Sequence, residues 1–104
     1  MRILAACSMG GAGHLNPLLP LMAAARRRGD EVLVIGPPSL GELVERSGFP
    51  FVGGGEPPED RVAPIRERLP VAPPQEASIL GNRELFGRLA AAAMIPAMER
   101  TCSH

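Results

Sequence analysis

The chain has 104 residues, room for one domain at most, and 45% of them are hydrophobic against 21% charged, an ordinary balance for a globular protein. Eleven basic residues, all arginine, cancel eleven acidic ones, so no excess charge points to nucleic acid or an anionic membrane surface as partner. The opening apolar run meets glycine far short of a signal-peptide or membrane-spanning length, which predicts a cytoplasmic protein with no membrane partner.

In that compartment Cys7 and Cys102 are expected as free thiols, with Cys7 a small buried core residue. No Cys/His spacing resembles a metal site, so no metal or resident cofactor is expected.

Residues 2–8, RILAACS, read as a strand buried on both faces. The cluster Gly10-Gly11-Ala12-Gly13 suits a tight turn with positive φ. Asn16 is placed to cap a helix, with Pro17 at its first position. Leu15, Leu18, Leu19, Met22 and Ala25 then form one apolar stripe. Arg26, Arg27 and Arg28 read as a solvated helix end, stopped by Gly29. Residues 31–35, EVLVI, are a second strand ended by Gly36-Pro37-Pro38. Ser39 and Glu42 have capping-box spacing for a short helix with Leu40, Leu43 and Val44 inward, which Gly48 stops. Residues 49–52 form a weaker third strand. This β-α-β-α-β order predicts an α/β fold, a Rossmann-like parallel sheet with flanking helices.

Residues 53–78 lose apolar periodicity and are rich in proline, which predicts a long surface loop bordering a ligand site. Helical spacing returns from Asn82, a candidate cap, with Leu85, Leu89, Ala92 and Ile95 or Pro96 on one side and Pro96 expected to kink the helix.

The chemistry is expected in the loop Ser8-Met9-Gly10-Gly11-Ala12-Gly13-His14-Leu15-Asn16-Pro17, between the first strand and the first helix, because open α/β sheets bind ligands beyond the carboxyl ends of their strands. As a dinucleotide fingerprint, Gly11-Ala12-Gly13 fits only the first half; the last glycine position falls on Asn16. The acid that motif needs at the end of the second strand is absent, since Asp30 and Glu31 lie at its start. A phosphate-binding P-loop needs a lysine, and the chain has none.

The third reading is Gly-His-x-x-Pro opening a helix. Here MRILAACSMGGAGHLNPLLPLMAAARRRGDEVLVIGPP, followed by SGFPFV, resembles the N-terminal domain of GT-B glycosyltransferases, closest to the bacterial UDP-glycosyltransferases that decorate antibiotics and polyketides. The likeness covers about the first half of the chain. It implies that His14 is the general base that deprotonates an acceptor hydroxyl, which then attacks a nucleotide-diphosphate sugar with inversion. A base titrating near neutral pH suits that task. Ser8, Met9, Gly10, Gly11, Ala12, Gly13 and Asn16 would line the substrate cleft, although turn geometry and, for Asn16, helix capping explain them equally simply. The resemblance further implies that residues 1–104 are part of the acceptor domain, that the nucleotide sugar is held by a second domain outside them, and that a later strand carries the carboxylate orienting His14. Glu99 is a poor candidate for that carboxylate. Three strands would leave an open sheet edge and bare apolar faces, so pairing with a second copy or with further fragments is expected. Two other readings stay open: a non-catalytic helper on the same fold, and a cell-wall N-acetylglucosamine transferase, for which the Pro- and Glu-rich middle segment offers no membrane-facing patch.

Overall fold

The computed structural model describes residues 1–8 and 12–103. Its centre is a three-stranded parallel sheet in the order β1 (Arg2–Ala6), β2 (Glu31–Gly36), β3 (Phe51–Gly53). Arg2 stands beside Glu31 and Ala6 beside Ile35; Val34 and Gly36 of β2 stand beside Phe51 and Gly53 of β3. The fold is therefore α/β with a Rossmann-like parallel arrangement.

Side chains alternate across β2, and each face has its own cover. Val32 and Val34 pack with Cys7, Leu15, Met22, Leu40, Val44 and Phe49. That cover comes from α1 (Ala12–Leu15), a 3₁₀ turn (Asn16–Leu18), α2 (Leu19–Arg27), a second 3₁₀ turn (Pro38–Leu40) and α3 (Gly41–Arg46). Ile35 points to the opposite face, against Met94 and Ala97, with Leu4, Val52 and Met98 beside them. The bare faces expected of three strands are thus both covered, and among the described residues the outer sides of β1 and β3 both lack a strand. Gly29 (φ 97°) and Gly48 (φ 86°) end α2 and α3 in the left-handed region, as their positions in the sequence predict.

Several local expectations are overturned. Asn16 caps nothing: the helix begins at Ala12, and Leu18 precedes α2 without a side-chain cap. Two prolines explain this, because Pro17 and Pro20 lack an N–H at the starts of the 3₁₀ turn and α2, where the amides have no intrahelical partner anyway. Gly13 and Ala12 are helical rather than in a positive-φ turn, while Gly10 and Gly11 lie outside the described residues. The Ser39–Glu42 capping box does not form, since α3 starts at Gly41 behind Leu40 and Ser39 donates to Glu56 instead. Arg26 is more than a solvated end: its guanidinium lies 4.1 Å from the Phe49 ring centroid and donates to the Gly48 carbonyl.

The Pro-rich stretch 53–78 is largely helical. It holds α4 (Glu59–Arg68), a 3₁₀ turn (Leu69–Val71) and α5 (Pro74–Ser78). Pro58 and Pro73 stand just before the two helices in the extended conformation suited to a helix start. Glu59 and Asp60 sit in the first turn of α4 and Arg66 and Arg68 in its last, each complementing the helix dipole. Arg66 pairs with Glu59, and Arg68 with Glu76 across the turn to α5. From Pro74 the chain stays helical to Cys102, through a π-helical segment (Ile79–Ala90) into α6 (Ala91–Cys102). Asn82 is therefore inside a helix, donating to Ser78 Oγ, and is not a cap. The buried positions are Ala90, Met94 and Ala97, whereas Ala92 and Ile95 are exposed. The π segment turns more slowly per residue than an α-helix, which puts the inward face out of phase with α-helical counting from Leu85. Pro96 lies within α6 without ending it.

Candidate functional site

β1 delivers the chain to the carboxyl end of the sheet, and Cys7 anchors it there. The Cys7 N–H donates to the Ile35 carbonyl (2.9 Å), extending the β1–β2 ladder by one residue. Its side chain is buried, and its thiol points at the main-chain carbonyl of His14 from 4.0 Å, a packing contact more than a strong hydrogen bond. Leu15, the next residue, is fully buried in the core below. His14 is thereby fixed through its backbone from both sides while its side chain stays exposed. Among the described residues, no side chain hydrogen-bonds to its ring.

The end of β2 approaches closely. A Cβ built on Gly36 would stand 2.9 Å from Leu40 Cδ2 and 3.1 Å from the Cys7 carbonyl, so only glycine lets the strand ends and the following turn close together there. The Gly54 N–H donates to the Gly36 carbonyl (2.6 Å), which binds the segment after β3 into the same rim. Two residues on, Glu56 accepts a hydrogen bond from Ser39 Oγ at 3.3 Å. This carboxylate and hydroxyl pair on the rim was hidden in the sequence, because Ser39 is equally well spaced to cap a helix.

The expected cleft residues fall into two groups. Ser8, Ala12, Gly13 and Asn16 are exposed near His14 along the chain, although turn and helix geometry account for Ala12 and Gly13 without a ligand. Met9, Gly10 and Gly11 lie outside the described residues. Glu99 belongs to neither group. Gly54 and Gly55 touch Met94 and Ala93 at the start of α6, and Thr101 and Cys102 at its far end line a cavity with Arg2 and Glu31. The helix thus runs from the carboxyl rim toward the amino end, carrying Glu99 away from His14. That cavity, about 690 Å³, opens at the amino end of the sheet beside Ile3, Leu4 and Thr101. It is not where an open α/β sheet binds substrate.

No protein-family model matches the chain, and no curated protein matches it. Among the described residues no group of three or more His, Cys, Asp or Glu is placed to hold a metal ion, and no helix is long and apolar enough to cross a membrane.

Proposed function

We propose that the chain is the acceptor-side part of an inverting, cytoplasmic glycosyltransferase of the GT-B type, with His14 as general base toward a hydroxyl of a small natural-product aglycone. The observation that carries this reading is the setting of His14: an exposed imidazole at the carboxyl end of β1, its backbone held by Cys7 and Leu15. A ring packed into the interior would have removed the chemistry. The acceptor O–H proton passes to a ring nitrogen of His14. The acceptor oxygen forms a bond to the anomeric carbon as the bond from that carbon to the donor's diphosphate breaks, with inversion. The imidazolium then returns its proton to solvent. The nucleotide sugar and the carboxylate that orients the imidazole belong, on this reading, to parts of the protein outside residues 1–104.

The exposed Ser8 at the end of β1 and the Ser39–Glu56 pair on the rim supply polar groups beside an otherwise apolar sheet end. The alternative is a non-catalytic helper on the same fold. His14→Ala in the full-length protein separates the two. As general base, its loss should lower turnover by roughly 10²–10⁴-fold with acceptor affinity little changed. Unchanged turnover would remove the base assignment.

A further inference from the structure

Building on the acceptor-side reading, on which this rests, we infer that this end of the sheet selects acceptors that carry a protonated amine, and that the Glu56 carboxylate receives it. The register of the sheet brings the residues together. Gly36 of β2 stands beside Gly53 of β3, and three residues beyond each come Ser39 and Glu56, joined by the hydrogen bond from Ser39 Oγ to Glu56 Oε1. His14 and Ser39 each precede a leucine, Leu15 and Leu40, that is buried in one and the same apolar cluster. Both therefore stand over one layer at the carboxyl end of the sheet, where an open α/β fold binds its ligands. The connections that carry His14 and Glu56 leave β1 and β3, two strand spacings or about 10 Å apart.

The backbone under the carboxylate is held on both sides. Before Glu56, the Gly54 N–H donates to the Gly36 carbonyl, and Gly54 and Gly55 lie close against Met94 and Ala93. After it, Pro57 and Pro58 restrict the chain. The charge itself is not neutralised by its partner. Glu59, three residues on, is paired with the Arg66 guanidinium, whereas Glu56 is bonded to a hydroxyl. In the connections that follow the three strands, the described residues 7–8, 12–16, 37–40 and 54–58 contain one carboxylate, Glu56, and no arginine. This end of the sheet is therefore negative beside His14. An ammonium is the donor group that compensates such a charge, a neutral hydroxyl satisfies it less well, and an acceptor bearing a carboxylate meets repulsion.

The test is ligand-observed NMR titration of the full-length protein with three probes that share a phenol hydroxyl. Tyramine ends in an ammonium, tyrosol in a neutral hydroxyl and 4-hydroxyphenylacetate in a carboxylate. Tyramine should bind roughly three- to fivefold more tightly than tyrosol, the range of an exposed ion pair, and 4-hydroxyphenylacetate should bind most weakly. Glu56→Gln changes an exposed side chain with little change of shape. It should bring tyramine down to the affinity of tyrosol and leave tyrosol unchanged. Equal affinities of tyramine and tyrosol in the wild-type protein overturn the proposal. So does a tyramine preference that survives Glu56→Gln, because the cation is then held elsewhere, and so does the absence of saturable binding by any of the three. Turnover of His14→Ala tests the base assignment, whereas probe preference in Glu56→Gln tests the amine site, so the two can fail separately.

Discussion

Burial pushes the Cys7 thiol above its ordinary range, while Cys102 is exposed on the last turn of α6. A thiol reagent attacks the thiolate, so the two should separate cleanly. One thiol should react quickly in the native protein and the second only in denaturant, by colorimetric titration; two fast thiols would mean that Cys7 is not buried under His14. A second residue-scale contrast comes from adjacent glycines. A methyl group on Gly55 would run into the main-chain carbonyl of Ala93, and one on Gly54 into the thioether of Met94. Backbone cannot step aside, whereas a methionine side chain can. Gly55→Ala should therefore cost about 1–3 kcal/mol and Gly54→Ala clearly less, measured by urea unfolding of both variants.

Helices α4 and α5 belong to the scale of the element, since they pack chiefly on the π segment and not on the sheet. Their shape rests on ion pairs in water. Arg66 holds the Glu59 carboxyl below its ordinary range, and Arg68 does the same for Glu76. A carboxylate whose pKa is lowered by folding stabilises the fold above its unfolded pKa of about 4.3 and loses that contribution as pH falls through the lower, folded value. Both pairs are exposed and individually weak, so the effect should be local. Helical circular dichroism should decline modestly from about pH 5 downward, and a Glu59→Gln/Glu76→Gln double variant should show a smaller decline. An equal decline in that variant would assign the acid sensitivity elsewhere, with Asp30 the next group to test, since Arg28 and then the Met1 ammonium hold its carboxyl low.

The molecule as a whole is elongated, 47 × 26 × 21 Å, with a radius of gyration of 15.3 Å. A compact chain of this length has about 13 Å. The sheet with its two helical covers is a small three-layer unit, and the α4–α5 excursion adds length without adding much core, since Val62 is the one buried hydrophobic residue between Phe49 and Ala90. An α/β sheet this narrow has little apolar area to spare.

Local chemistry was legible wherever one residue acts on its neighbours. The three strands, the stripe from Leu15 to Ala25, the left-handed stops at Gly29 and Gly48 and the burial of Cys7 all follow from periodicity and from glycine's access to positive φ. His14 was equally visible as the residue that follows the glycine loop and opens a helix. What sequence reasoning misjudged depends on contacts distant along the chain. Ser39 could satisfy a helix end or a carboxylate, and the position of Glu56 decided. Prolines in 53–78 read as helix breakers, yet Pro58 and Pro73 stand just before helix starts, where a missing N–H costs little, α4 runs on through Pro64, and the Arg68–Glu76 pair crosses the turn to α5. The inward face of α6 hinges on a π-helical stretch whose spacing resembles no α-helical pattern. The sequence alone determined the order of elements through β3 and the place of His14 between β1 and α2, because both depend on steric rules acting within a few residues. Tertiary structure alone decided which faces are covered and which hydroxyl meets which carboxylate, because those depend on what lies opposite in space.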